Sequence, residues 1–192
     1  TKTVENPENA TVANDSIRPV ITKTADTSVA YMSLKKYLPE KIPGFKTEGY
    51  PDLNDNFTGE PTGETNSAYT SLGKASFIKH LYKKNDAEIA VEIIDYKASP
   101  AVYKDMLKMF NPTVKVETDI ETKYPLDKTM PGTITQVIHD KSENKSTAHI
   151  FVCDRFLVNI NTVNTGKNNM IQETLQRINL EALIKDLCEN KQ

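Results

Sequence analysis

Two alternating segments around a short turn constrain this chain more than any other feature. Lys74 to Lys83 and Ala87 to Tyr96 flank Lys84-Asn85-Asp86, residue types that favour a tight reversal. With Asn85 and Asp86 as the two turn residues, Lys83 faces Glu88 and Lys79 faces Glu92. The same register sets Ile78, His80 and Tyr82 opposite Ile93, Val91 and Ile89. One face of this hairpin is then apolar and the other pairs opposite charges, each pair contributing roughly 0.2–1 kcal/mol. A slip of one residue would drive the charges into the core, so the pattern itself specifies the register.

Further strands are predicted downstream. Thr133 to His139 and Thr147 to Cys153 form a second hairpin around Asp140 to Lys145, and Phe156 to Thr162 returns from a turn at Asp154-Arg155. In that register Val152 faces Leu157, Phe151 faces Val158 and His149 faces Ile160. Both faces of the pair carry apolar side chains, and a sheet that is apolar on two faces needs cover on two sides.

Three segments are predicted to supply helical cover. Ser33 caps a short helix through Leu38, with Leu34 and Leu38 four residues apart; Pro39 and Pro43 end it, and Gly44 to Tyr50 runs extended. Ser99-Pro100 opens a second helix, on which Tyr103, Met106, Leu107 and Phe110 form one stripe before Asn111-Pro112 stops it. Near the C-terminus, Met170, Ile171, Leu175 and Ile178 form one stripe and Leu180, Leu183, Ile184 and Leu187 another. Asn179 is placed to cap the second stripe, so a broken helix is expected. Thr113 to Thr118 reads as a short strand or extended arm, and Tyr124 to Pro131 as a strand edge or loop. The expected fold class is α+β: an antiparallel β-sheet flanked by helices, an α/β/α sandwich, with an extended polar N-terminal tail.

With 192 residues, the expectation is residues 1–30 as a polar tether and 31–192 as one α+β domain. Thr1 to Val29 is rich in Thr, Asn, Asp and Glu and has too little apolar surface to offset ordering entropy. A chain that starts without Met on such a stretch is expected to be exported, the stretch serving as the tether behind the lipidated cysteine of a surface lipoprotein. Asp52 to Gly73 reads as a long polar surface loop, and loops of about 20 residues inside a domain are uncommon unless mobile or functional. The formal net charge of −2, with both signs interspersed, excludes the basic face that nucleic-acid binding requires. Cys153 and Cys188 lie thirty-five positions apart in different predicted elements, and the expectation is two buried small apolar residues rather than a bridge.

The run Leu38-Pro39 through Ile42-Pro43-Gly44-Phe45, the strand Val91-Glu92-Ile93-Ile94-Asp95-Tyr96, and Tyr103 with Phe110 on one helix resemble the small exported proteins grouped as PsbP/Mog1/DcrB-like. The later hairpin around Cys153-Asp154-Arg155 and the closing helix are similar in placement, so the resemblance covers Leu34 to Leu187. It implies an α/β/α sandwich around an antiparallel sheet, in a group where many bacterial members are lipoproteins. It implies no site residues, because fold kinship does not carry function.

Signals for chemistry are sparse. His80, His139 and His149 all fall on predicted strands. A register pairing His139 with Thr147 would set His149 diagonally on the same face, where a carboxylate such as Asp95 or Asp140 would complete a zinc set. Strand histidines satisfied by backbone or water are the plainer reading, so no metal site and no cofactor are assigned. A Gly-x-Ser-x-Gly elbow is absent, and Gly59-x-x-x-Gly63 lacks the Lys-Ser/Thr of a phosphate loop. Glu117, Asp119 and Glu121 alternate with Lys115 and Lys123 as a solvated face does. No catalytic residue is assigned.

The favoured expectation is a non-enzymatic, lipid-anchored binding or accessory module of the bacterial envelope, in the periplasm or at the outer membrane or cell surface. It would act beside other envelope proteins and touch membrane only through that anchor. The alternative is a small-ligand carrier or enzyme with a pocket between sheet and helix, for which His80, Tyr82 and Tyr103 are the candidate lining residues. Oligomeric state is open at this stage.

Overall fold

A computed structural model of the chain describes residues 31–49, 75–110, 114–126, 133–166 and 169–189. The expected tether, the Asp52 to Gly73 loop and the Asn111-Pro112 stop lie outside the described residues. Within them, one sheet holds eight strands: β1 (Lys46–Gly49), β2 (Ser76–Lys84), β3 (Ala87–Asp95), β4 (Val116–Glu117), β5 (Glu121–Pro125), β6 (Thr133–Asp140), β7 (Lys145–Val152) and β8 (Phe156–Val163). The order across the sheet is β1-β2-β3-β8-β7-β6-β5-β4, with every neighbouring pair antiparallel. Short helices accompany it: α1 (Tyr31–Leu34), continued as a 3-10 turn over Lys35–Tyr37; α2 (Pro100–Met109); α3 (Met170–Leu175); and α4 (Leu180–Ile184), which widens into a π-helical turn over Lys185–Glu189. The class is α+β.

The connectivity explains the strand order. β1 to β3 run as neighbours, α2 then carries the chain over the sheet towards its far edge, and β4 to β8 return strand by strand until β8 closes against β3. The β2–β3 hairpin has the register that its alternation predicts, Lys83 opposite Glu88 and Lys79 opposite Glu92, with Asn85 supplying the left-handed turn residue at φ 55°. Asn tolerates that conformation better than most residues.

The β7–β8 register differs from the expected one by a single residue. Val152 pairs with Phe156, Phe151 with Leu157 and His149 with Asn159. The turn includes Cys153, which like Asp154 sits at positive φ (56° and 52°), and the Arg155 amide donates to the Val152 carbonyl at 3.1 Å. A cysteine in the left-handed region carries no signal in the sequence, so a turn at Asp154-Arg155 was the natural expectation and the wrong one. The N-terminal helix is also displaced, starting at Tyr31 rather than at Ser33 and tightening to 3-10 geometry before Leu38.

Adjacent residues along each strand point to opposite faces, and the apolar residues divide accordingly. On one face, Ile89, Val91 and Ile93 of β3, Ile150 of β7 and Val158 and Ile160 of β8 meet Leu34 and Tyr37 from the N-terminal helical turn and Leu175 and Leu183 from α3 and α4. On the other, Ile94, Phe151 and Leu157 meet Tyr103 of α2, with Met106, Leu107 and Phe110 packed around them. The predicted α2 stripe is the one that docks. Asn179 caps α4 as predicted, its side chain accepting from the Ala182 amide at 3.3 Å.

The two cysteines are not separate. Cys153 and Cys188 form a disulfide with Cα atoms 6.1 Å apart, inside the limit of about 7 Å for bridging. The expectation of unbridged thiols fails because the π-helical turn after α4 folds back onto the β7–β8 turn, a closure that a separation of 35 residues does not announce. Arg155 ties the same corner. Its Nε donates to Asp95 Oδ1 at 2.8 Å and its Nη2 to Asp95 Oδ2 at 2.7 Å, while Nη1 donates to the Leu187 carbonyl at 2.9 Å.

Candidate functional site

The structure brings two of the three expected pocket residues together and leaves the third elsewhere. His80 and Tyr82, two apart on β2, share the face covered by α1, α3 and α4, and both are buried. The Tyr82 hydroxyl donates to the Pro39 carbonyl and stands 3.0 Å from His80 Nδ1. With that proton committed to Pro39, His80 Nδ1 is the donor to the tyrosine oxygen. Burial, and then the charge of Lys35, hold His80 below the usual imidazole range. Tyr103 lies on the opposite side of the sheet, edge-on to Tyr96 and Phe151, and burial pushes its phenol far up.

The histidines do not gather. His139 pairs with Ser146, not Thr147, and its Nδ1 lies 2.8 Å from the Ser146 hydroxyl. That register puts His139 on the face of Val137, whereas His149 is aligned with Gln136 on the other. The one-residue difference separates the two imidazoles by the thickness of the sheet, and the proposed zinc set with Asp95 or Asp140 falls with it. Among the described residues, no group of three or more His, Cys, Asp or Glu side chains is arranged to hold a metal ion.

A groove of about 560 Å³ opens between the sheet and the C-terminal helices. Ile150 of β7 and Leu175, Ile178 and Leu180 from the α3–α4 segment give it an apolar floor, all four being nearly buried. Gln176, Arg177 and Glu181 give it an exposed polar rim. It lies at the helix break over residues 176–179, where the Asn179 side chain caps α4. The volume lies within the range of small-ligand sites. None of His80, Tyr82 and Tyr103 lines it.

A second polar feature lies on the α2 side of the sheet. Register aligns Lys79, Glu92, Asn159, His149 and Gln136 in one row across β2, β3, β8, β7 and β6. The Asn159 Nδ2 donates to Glu92 Oε2 at 2.9 Å, and Asn159 Oδ1 lies 2.9 Å from His149 Nδ1. Phe110 stacks on His149 with ring centres 4.4 Å apart. Burial raises Glu92 above the usual carboxylate range, with Asn159 and Lys79 acting against it. Burial lowers His149 below the usual imidazole range, with Asn159 acting against that. The alternation places Glu92 on the charged face of the β2–β3 hairpin. It does not join Asn159 and His149 to that face, because the expected β7–β8 register sets Ile160 in the place of Asn159.

No family model matches the chain, and no curated protein matches it. Among solved structures it is similar to the extracellular domain of PknH from Mycobacterium tuberculosis, at 14% identity over 82% of this chain and 98% of that one, with a TM-score of 0.47.

Proposed function

We propose that this chain is an exported, non-enzymatic binding or accessory module of the bacterial cell envelope, of the PsbP/Mog1/DcrB-like kind and held near the membrane by a lipid anchor on its N-terminal tether. The observation that carries this reading is the Cys153–Cys188 disulfide. Structural disulfides persist in oxidising compartments and are rare where thiols are kept reduced. This one pins the last helical turn, which also takes an ion pair from Lys36 to Asp186 at 2.7 Å, so the cross-link is integrated into the fold. Acid-quenched source cells treated with a thiol-reactive polymer test the reading. The chain gains no mass until it is reduced, and it fractionates with the envelope; free thiols in a cytosolic chain would overturn it.

A second reading, a small-ligand carrier, is favoured by the groove beside α3 and α4. Its apolar floor and polar rim fit a compact molecule with one oily side. An environment-sensitive apolar dye binding the purified chain, and losing that binding in Leu175→Arg, supports this reading. Equal binding by the variant removes it.

A further inference from the structure

We propose that the α2-side face of the sheet, from His149 across Asn159 and Glu92 to Lys79, is a binding site for a neutral oligosaccharide. Leaving out the buried Gln136, the row crosses four adjacent strands. Neighbouring strands lie about 4.8 Å apart, so Lys79, Glu92, Asn159 and His149 span about 14 Å, enough for a short run of linked sugar rings. Thr147 and Asn161 widen the polar surface by one further row, the Thr147 hydroxyl donating to Asn161 Oδ1 at 2.8 Å.

The hydrogen bonds within the row fix which valences are already used. Asn159 is bonded at both ends, to Glu92 through Nδ2 and to His149 through Oδ1, which leaves one amide N–H as a donor. It also orients its neighbours. An amide oxygen only accepts, so His149 Nδ1 carries the proton and His149 Nε2 is left as an acceptor. Glu92 Oε1 is a second acceptor, and the Asn161 amide, its oxygen occupied by Thr147, is a donor. Glu92, His149 and Asn161 are all half-buried, and each is held by a side-chain hydrogen bond within the array. Alternating fixed donors and acceptors match vicinal hydroxyls, each of which both gives and takes a hydrogen bond.

Charge selects among polar ligands. Lys79 stands directly across from Glu92, so the row is balanced and favours neither a phosphate nor an ammonium group. Phe110, half-buried where α2 ends and stacked over His149, supplies an aromatic wall for the C–H face of a sugar ring.

The test is the purified full chain on a printed array of neutral, sialylated and sulfated oligosaccharides, with the best neutral hit then titrated by amide shift perturbation. The expected result is retention of neutral glycans, with shifts concentrated on β7 and β8. Asn161→Ala and His149→Phe, each checked for an intact thermal transition, should each weaken binding about tenfold. Arg177→Ala, in the groove on the other side of the sheet, should leave it unchanged. Retention of no neutral glycan, a preference for the anionic ones, or weakening by Arg177→Ala with none in the two row variants would overturn the proposal. None of these outcomes depends on the compartment, so the exported-module reading stands or falls separately.

Discussion

Asp95 has no exposure to solvent, and its carboxylate is held by two nearly parallel hydrogen bonds from Arg155, sixty residues further along the chain. Removing one partner of a buried, bidentate pair strands the other charge in a medium that solvates it poorly, at a cost of about 3–5 kcal/mol. Arg155→Ala should therefore lose stability of that order in a urea titration, whereas Asp95→Leu with Arg155→Met should lose much less. Equal losses would mean that the geometry, not the buried charge, governs the corner. Three of the partly or fully buried titratable groups respond to pH in opposite senses. Burial lowers His80 and His149, so each contributes stability fully above its unfolded pKa near 6.5 and loses it as pH falls through the lower folded value. Burial raises Glu92, so its contribution is complete below about 4.5 and is lost as pH rises through the raised folded value. Urea midpoints should show His149→Phe flattening the decline of stability below pH 6.5, and Glu92→Gln gaining on the parent as pH rises from 4.5 to 7. Variants that run parallel to the parent across that range would show these groups uncoupled from folding. None of these partnerships was legible in the sequence: Asp95 with Arg155 and Glu92 with Asn159 meet only because β8 returns to β3.

Individual elements were more legible where local chemistry decides them. The β2–β3 hairpin is specified by alternation plus an Asn-Asp turn, and α2 by a proline start and a four-residue stripe. The α3–α4 break was visible because Asn179 interrupts two apolar stripes at a capping position. Asn179→Ala should cost about 1 kcal/mol by leaving the Ala182 amide without its acceptor, and Asn179→Gly less, as read in thermal or urea melts. The β7–β8 turn is less legible: Cys153 within it sits at positive φ and is bonded to Cys188, a partner far along the chain. Closing a loop of 35 residues removes denatured-state entropy worth about 4 kcal/mol in the chain-entropy estimate. Reduction, or Cys153→Ala with Cys188→Ala, should lower stability by that order; a change under about 1 kcal/mol would mean that Arg155 and the apolar contacts of Leu187 already hold the C-terminal turn.

At the scale of the whole sheet, the strand order sets where the molecule opens first. β3 and β8 lie at the centre, each paired along eight residues with the other and bonded on its far side to β2 or β7. Apolar cover reaches both of their faces, from α2 on one side and from α1, α3 and α4 on the other. β4 is only two residues long, pairs with β5 alone among the described residues, and ends near Ile120, which is largely exposed. β1 pairs with β2 through an irregular register and carries mostly exposed side chains. Opening free energies follow buried apolar contact and pairing on both edges, so amide exchange should be slowest in β3, β8 and β7, intermediate in β2 and β6, and fastest in β1 and β4. The pairing of β3 with β8 closes only after at least sixty intervening residues have been placed, so those most protected amides should become protected last during refolding, after the local β2–β3 and β6–β7 hairpins. Pulse-labelled exchange during refolding measures this order directly. Protection appearing in β8 before the hairpins would mean that the sheet condenses from its centre rather than by the return of the chain from its far edge.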